Sequence, residues 1–255
     1  MPPVRIGFIG AGSMGSALAR GLGEPAVVYD ADEERAEALA AEVGGSVAGS
    51  NSELAGQVDL VVLCHKPAQL HDVAEEAAPA AKAVASIVAA TRIADLEAVY
   101  PGTPVYRFIP NLPVEVGRGV FCYAAGTRAA EGPEQDVLQL FGRSGVVIPM
   151  EEPLIEPAMA LMSCGPAFIA LVVEAMAAAG ARHGLDPAQA TRLVVETLAG
   201  TAAYLDANDL DAPELRRRVA TPGGITEKGL QALEDGGVSR AFGAAVDLVV
   251  EATRP

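Results

Sequence analysis

The sequence predicts an α/β protein, with a doubly wound, mostly parallel sheet in its first half and only helices in its second half. Short runs rich in Val and Ile alternate with amphipathic segments from Val4 to about Met150. Near-continuous apolar strands of this kind are typical of parallel sheets that carry helices on both faces. The strand pattern stops after Met150, and 255 residues with 51% hydrophobic content suffice for one large core or two modest ones.

The elements of the first half follow in order from this alternation. The candidate strands are "VRIGFIG", "AVVYD", "VDLVVLC", "AVASIVAA", "VYRFIP", "GVFCYA" and "GVVIPM". The clearest helical segments between them are "SMGSALARGL", "DEERAEALAAEV" and "PAQLHDVAEEAAP", which place charges on one side and Ala, Leu and Val on the other. We therefore expect a Rossmann-like domain over residues 1–152.

Prolines and a change of pattern mark the second half. The boundary between the two halves contains three prolines: Pro149, Pro153 and Pro157. Helices are expected from about Pro166, from Pro187 to Tyr204, near Glu214 to Arg218, and from Thr226 and Ser239. The sequence thus predicts an all-helical domain over residues 153–255.

The apolar stretch "GPAFIALVVEAMAAAG" carries more hydrophobic surface than a small bundle usually hides. It is shorter than the roughly 20 residues that span a membrane, and Glu174 lies in its middle. We therefore expect no membrane association and a homodimer or higher homo-oligomer in which the run Phe168 to Met176 meets another subunit. Burial of this helix within its own bundle is the alternative.

Charge and cysteine content narrow the range of partners. The formal net charge is −15, and no basic cluster is larger than Arg216-Arg217-Arg218, which argues against nucleic-acid binding. The three cysteines lie far apart without metal-ligand spacing, so neither a metal site nor a disulfide framework is predicted. No signal-peptide pattern precedes the first strand, and we expect a small-molecule partner and a cytoplasmic location.

A glycine-rich loop follows the first predicted strand. In "GAGSMG", Gly10 permits a tight turn, Gly12 removes a side chain that would block a pyrophosphate, and Gly15 lets the helix approach the strand. Ser13 and Met14 open the helix, whose amides face the phosphates. Because strand, loop and helix occur in this order, we interpret the loop as a dinucleotide site.

Asp30 ends the second predicted strand, twenty positions after Gly10. A carboxylate there accepts hydrogen bonds from the adenosine ribose and repels a 2′-phosphate, which favours NADH over NADPH. Arg35 weakens this preference. Asp30 and Asp32 are alternatively simple helix-start residues.

A second glycine loop, Thr221-Pro222-Gly223-Gly224-Ile225-Thr226, precedes the helix "EKGLQALE" near the other end of the chain. Thr226 could be the N-cap of this helix. Two glycines and free amides at a helix N-terminus also suit a carboxylate ligand. The two roles are compatible.

The chain resembles the pyrroline-5-carboxylate reductase family over nearly its whole length. The motifs that carry the resemblance are "GFIGAGSMG", "CHKP", "FIPNLP", "MSCGPAF" and "VATPGGITEKGLQALE", in this order and spacing. The resemblance implies a dinucleotide domain, a helical dimerisation and substrate domain, and NADH or NADPH as the cofactor. The first glycine loop would hold the cofactor pyrophosphate, and the second would hold the carboxylate of a cyclic imino acid.

The resemblance also implies roles for individual residues. Thr226 would donate or relay a proton to the imine nitrogen, and Lys66 and Pro67 would lie at the nicotinamide side of the cleft, where Lys66 also joins the catalytic residues. Asn51 would lie near the adenosine ribose, and Pro110 and Asn111 match the start of a cofactor-side turn. The residues implied to hold the substrate are Thr221, Gly223, Gly224, Ile225 and Thr226.

Five positions depart from the family pattern and leave alternatives open. They are His65, Leu112, Met162, Cys164 and Ile225. These departures allow a paralogous imine reductase that acts on another imino acid, or a non-catalytic NAD-binding regulatory protein. The β-hydroxyacid dehydrogenases share a similar start, but they depend on a lysine in the helix after the sheet, and "GPAFIALVVEAMAAAG" has none.

Overall fold

Eight strands form one sheet in the computed structural model, which describes residues 4–253. They are β1 (Ile6–Ile9), β2 (Ala26–Tyr29), β3 (Ser46–Val47), β4 (Leu60–Leu63), β5 (Val84–Ser86), β6 (Val105–Pro110), β7 (Gly119–Ala125) and β8 (Gly145–Pro149). Their order is β3-β2-β1-β4-β5-β6-β7-β8, and every neighbouring pair is parallel except β6 and β7. The predicted doubly wound, mostly parallel sheet is confirmed.

Helices cover both faces of this sheet. They are α1 (Ser13–Leu22), α2 (Glu33–Val43), α3 (Asn51–Gln57), α4 (Leu70–Ala77), α5 (Ile93–Val99) and α6 (Glu134–Phe141). One hydrophobic core joins Phe8 of β1 to buried residues of α1, α2 and α6. The other joins Ile9 to buried residues of α3 and α4. Successive residues of β1 therefore point into different cores, because side chains alternate across a strand.

The strand order places a cleft at the end of β1. The chain leaves β1 towards β2 on one side and returns to β4 on the other, in register Ile9 with Tyr29 and Ile9 with Leu63. The strand order reverses at this point, and ligands of doubly wound sheets bind at such switch points. The first glycine loop begins at this point.

The chain divides into two compact units, with the boundary between Pro166 and Ala167. Unit 2 is helical, with α8 beginning in unit 1 at Gly165. Its helices are α8 (Gly165–Arg182), α9 (Pro187–Asp206), α10 (Ala212–Val219), α11 (Ile225–Asp235) and α12 (Val238–Ala252). Its positions match the five predicted helices to within a few residues. The domain boundary that the sequence suggests, between residues 152 and 153, stays a prediction.

The helix α7 (Ile155–Met162) was not predicted from the sequence and belongs to unit 1. Its buried residues include Ile155 and Met162, which join a small core with Cys122 of β7. Pro157 occupies the first turn of α7, where a missing amide hydrogen costs no intrahelical bond. The prolines of this segment therefore mark a helix start as well as a break between elements.

The helical stretch Glu152–Arg182 is 31 residues long and, by length and composition alone, apolar enough to cross a membrane. The expectation that this segment is too short to span a membrane was therefore wrong, because the helical stretch begins before Gly165. Core helices of soluble proteins pass the same test, and the finding is weak evidence for a membrane span.

Candidate functional site

The first glycine loop is held close to its neighbours by backbone contacts. Gly10 has a φ of +106°, and its amide donates a 2.8 Å hydrogen bond to the carbonyl of Tyr29. A Cβ at Gly10 would lie 2.8 Å from the carbonyl carbon of Cys64, and one at Gly15 would lie 2.6 Å from the carbonyl oxygen of Gly10. Both positions therefore require glycine.

Gly12 instead faces open space. Apart from its chain neighbours, no atom of residues 4–253 lies within 4 Å of where its Cβ would be, and Gly12 is the N-cap of α1. Within residues 4–253, the amides of Ser13 and Met14 donate no hydrogen bond. An open approach to free amides at a helix N-terminus fits a pyrophosphate group.

A cleft of about 390 Å³ opens beside this loop. Of the residues predicted to bind the cofactor, the structure brings Gly10, Gly12, Asp30, Asn51 and Lys66 into its lining. It does not bring in the others: Ser13, Met14, Gly15, Pro67 and Asn111.

The carboxylate of Asp30 accepts two backbone hydrogen bonds. Oδ2 accepts from the amide of Ala11 at 2.6 Å, and Oδ1 accepts from the amide of Asp32 at 2.9 Å. Asp30 therefore stabilises the first glycine loop through its bond to Ala11. Each carboxylate oxygen can still accept a further hydrogen bond, such as one from a ribose hydroxyl. Asp32, in contrast, is the N-cap of α2 and pairs with Arg35 at 3.0 Å.

Asn51 places an unsatisfied acceptor at the cleft. It is the first residue of α3 and is buried, and its Nδ2 donates to Oε2 of Glu76 at 3.0 Å. Its Oδ1 is buried and accepts no hydrogen bond from any described residue. A buried acceptor without a partner is costly, so this oxygen is suited to a donor such as a ribose hydroxyl.

The segment after β4 forms another wall of the cleft. Nδ1 of His65 lies 2.9 Å from the carbonyl of Lys66, which can only accept, so the ring hydrogen is assigned to Nδ1. Burial lowers the pKa of His65, and the imidazole is neutral at pH 7. Burial also raises the pKa of the Cys64 thiol far above its usual range, so this thiol stays protonated at pH 7.

Lys66 places its positively charged side chain at the cleft. Its side chain forms no ion pair with any residue in the described part of the chain. Its position is set through its backbone, because its amide donates to Oε1 of Gln69 at 3.0 Å. Pro67 begins the short 3₁₀ turn Pro67–Gln69 that follows.

Asn111 has a structural role in this chain. Its Nδ2 donates to the carbonyl of Met162 at 3.0 Å, and its Oδ1 accepts from the amide of Val120 at 2.9 Å. The side chain is buried and ties the end of β6 to β7 and α7. Its contact with a cofactor stays a prediction, as does that of the neighbouring turn, where Leu112 is exposed.

The second glycine loop leads into α11, which begins at Ile225 with Gly224 as its N-cap. Thr226 is therefore the second residue of the helix, and the interpretation of Thr226 as the N-cap is wrong. The sequence suggested it because threonine is a common cap. Here the extended Gly224, with ψ of 169°, takes that position, and the Thr226 side chain is exposed.

The amides of the second glycine loop are not equivalent. The Gly224 amide donates to the carbonyl of Thr221 at 2.9 Å, and the Gly223 amide donates to Oε2 of Glu227 at 2.7 Å. The amides of Ile225 and Thr226 donate no hydrogen bond within residues 4–253. Two free amides at a helix N-terminus are suited to a carboxylate.

Sequence reasoning missed the third wall of the cleft. Gln69 from the turn before α4, and Asp72 and Glu76 from α4 itself, line the cleft. No local motif marks them. They reach the site only because α4 packs beside α3, which is a tertiary contact.

Models of known families match most of the chain. The model described as pyrroline-5-carboxylate reductase dimerisation matches residues 152–254, and the model described as NADP oxidoreductase, coenzyme F420-dependent, matches residues 5–90. The second match covers the first glycine loop and much of the cleft. Together, the two models indicate a nicotinamide-dependent oxidoreductase with a helical dimerisation domain.

Individual proteins agree with these models. The pyrroline-5-carboxylate reductase of Methanosarcina acetivorans is 32% identical over 95% of this chain and 94% of its own length, and that of Pseudomonas aeruginosa is 34% identical over 96% and 95%. The solved structure of the Plasmodium falciparum pyrroline carboxylate reductase with NADP bound has a TM-score of 0.87 at 28% identity, covering 99% of this chain and 98% of that one. The Coxiella burnetii enzyme has a TM-score of 0.88 at 27% identity, covering 98% and 97%. With two family models, full-length relatives and a matching fold all in agreement, this chain belongs to the pyrroline-5-carboxylate reductase family.

Proposed function

We propose that this protein reduces 1-pyrroline-5-carboxylate to L-proline. The observation that carries the proposal is the full-length likeness to curated pyrroline-5-carboxylate reductases. When bound, the reduced nicotinamide supplies a hydride to the imine carbon. A protonated imine is already an electrophile, so the protein mainly has to hold the ring, exclude water and supply a proton to the nitrogen.

The cleft beside β1 is the proposed cofactor site. Gly12 gives the pyrophosphate an open approach to the N-terminus of α1, and the free Oδ1 of Asn51 accepts from a ribose hydroxyl. Lys66, which has no counter-ion among residues 4–253, contributes positive charge at the same cleft. That charge favours an anionic cofactor. The family resemblance implies that Lys66 lies at the nicotinamide side of the cleft.

The second glycine loop is the proposed substrate site. Its free amides at Ile225 and Thr226 hold the ring carboxylate, and Thr221, Gly223 and Gly224 shape the turn that presents them. The hydroxyl of Thr226 is exposed and makes no hydrogen bond in the described part of the chain, so it is available to donate a proton to the imine nitrogen.

NADH is the proposed preferred cofactor, because Asp30 lines the cleft where the adenosine ribose would lie and its charge repels a 2′-phosphate. Arg35 lines the same cleft, but its guanidinium is paired with Asp32 at 3.0 Å. That pairing reduces its attraction for a phosphate.

The match to a dimerisation model supports a homo-oligomer, and we propose a homodimer or a larger assembly of dimers. Only three side chains of unit 2 are buried hydrophobics in the single chain: Ala177, Ala190 and Val194, among the residues described there. A second copy would cover the remaining apolar faces. We further propose a cytoplasmic location without membrane or nucleic-acid partners.

A second candidate function is the reduction of a different imino acid. The departures from the family pattern favour it, since Ile225 is 89% exposed in the proposed substrate loop, where the family usually has threonine. A bulkier apolar residue would change which ring substituents fit beside the loop.

The test is oxidation of NADH and of NADPH, followed at 340 nm, with 1-pyrroline-5-carboxylate, its six-membered ring homologue and an acyclic imino acid. The proposal expects the highest kcat/KM with the five-membered ring and NADH. Higher kcat/KM for another imino acid would replace it with the second candidate. No turnover with any imine, while cofactor still binds, would favour a regulatory protein.

A further inference from the structure

The second glycine loop already holds a carboxylate of this chain. Oε2 of Glu227 accepts a hydrogen bond from the Gly223 amide at 2.7 Å. Gly223 has a φ of +75°, a conformation natural to glycine that turns its amide towards the first turn of α11. Glu227 is the third residue of that helix.

This contact is not the usual reciprocal cap. In a capping box, the third helical residue bonds to the amide of the N-cap residue, and the N-cap side chain bonds back. Here the N-cap is Gly224, which has no side chain, and Glu227 reaches past it to the amide of the preceding residue. The amide of Gly224 instead donates a hydrogen bond to the carbonyl of Thr221.

The carboxylate of Glu227 therefore lies at the N-terminus of α11, where an anionic ligand would also bind. Under the proposed function, the loop amides bind the carboxylate of the imino acid. Two carboxylates at one helix N-terminus repel each other, so Glu227 opposes the binding of a second carboxylate at the free amides of Ile225 and Thr226. Glu227 is exposed, so it can rotate into solvent when a ligand enters.

We propose that Glu227 is an internal competitor for the substrate carboxylate and so determines how tightly the loop binds carboxylate-bearing rings. This inference rests on the proposed function of the loop. It makes Glu227 a specificity-determining residue: its negative charge weakens binding of the carboxylate end of a ligand and leaves the rest of the ring unaffected.

The test compares Glu227→Gln with the control Glu234→Gln. Both remove one negative charge from α11, but Glu234 lies at the other end of the helix, where it accepts from Ser239. We expect Glu227→Gln to raise the ratio of kcat/KM for 1-pyrroline-5-carboxylate to that for 1-pyrroline, which lacks the carboxylate, on the order of 3- to 10-fold. The control should leave this ratio within about 2-fold of the unmodified protein. An unchanged or lower ratio in Glu227→Gln would overturn the inference.

A binding measurement separates this inference from the proposed function. Calorimetric titration with L-proline, with pyrrolidine as the probe that lacks a carboxylate, needs no turnover. Tighter L-proline binding by Glu227→Gln supports the competitor role even if the protein reduces no pyrroline. Equal or weaker binding contradicts it even if reduction is normal. Glu227→Ala removes both the charge and the hydrogen bond to the Gly223 amide, and it serves if the glutamine variant does not fold: L-proline binding should tighten here too.

Discussion

At the scale of single residues, Thr226 gives the sharpest test of the proposed chemistry. Because it is not the N-cap of α11, Thr226→Ala should cost little stability. If its hydroxyl donates a proton to the imine, kcat should fall on the order of 10- to 1,000-fold. Cofactor affinity should stay the same, since the first glycine loop belongs to the other compact unit.

The melting temperature, kcat and the Kd for NADH should be measured on the same preparation of Thr226→Ala. Thr226→Ser keeps the hydroxyl and is the matched control, expected to retain most of the rate. Normal turnover in the alanine variant would remove Thr226 from the mechanism.

Asp30 combines two roles that a substitution separates. Asp30→Ser should weaken NADH and relieve repulsion of a 2′-phosphate, shifting the ratio of Kd values towards NADPH by about 10-fold. The serine also loses the 2.6 Å bond to the amide of Ala11, so absolute affinity for both cofactors should fall. Fluorescence titration with each cofactor measures this. Tighter NADPH than NADH binding by the unmodified protein would contradict the proposed preference.

At the scale of secondary-structure elements, a buried charge connects β6 to the segment before α7. Arg107 on β6 is 1% exposed and pairs with Glu152 at 2.9 Å and Glu156 at 3.2 Å. Glu152 also accepts from the amide of Ile93 at the start of α5. One guanidinium thus connects a central strand, the start of α7 and, through Glu152, α5.

Arg107→Met should destabilise unit 1 by about 3 to 5 kcal/mol, because removal of one partner leaves the others without compensation. Arg5→Met is the control: Arg5 is 61% exposed and its pair with Asp59 lies at the surface, so its loss should cost at most about 1 kcal/mol. Urea unfolding of both variants measures the difference. Equal losses would show that burial of the charge does not matter here.

At the scale of the whole molecule, the apolar faces of unit 2 predict assembly. Leu171 of α8 is 65% exposed and Leu248 of α12 is 68% exposed in the single chain. Light scattering at micromolar concentration should report at least twice the 26.0 kDa mass of one chain. Leu171→Glu should weaken the association, whereas Val116→Glu, at an exposed position in unit 1, should not. A stable, active monomer would contradict this prediction.

Buried tyrosines make the fold sensitive to alkali. Burial raises the pKa of Tyr106 from 10.0 to about 12 and raises that of Tyr100 as well. Both groups must stay neutral in the folded state, so their contribution to stability is complete below about pH 10 and is lost as the pH rises through about 12. Melting temperatures from pH 8 to 12 should show this fall. Tyr100→Phe should reduce it, at little cost at pH 8, because the Tyr100 hydroxyl has no partner among the described residues.

The sequence by itself determined the fold class. Val- and Ile-rich runs predicted every strand except β3, whose two exposed residues, Ser46 and Val47, are too few to form a pattern. It also located both glycine loops, because their glycine patterns are local and include a positive φ at Gly10 and at Gly223. Local backbone rules act over a few residues, and a sequence displays them directly.

Only the tertiary structure decided which side chains share the cleft and which are used elsewhere. Glu76 meets Asn51 because α3 and α4 pack together, and Asn111 is committed to Val120 and Met162, although its motif suggested the cofactor. No role of Glu227 was predicted from the sequence, yet its carboxylate accepts a hydrogen bond from the Gly223 amide. A buried polar group is satisfied by the partner that lies next to it in the folded chain. The local sequence does not show which distant residue that partner is.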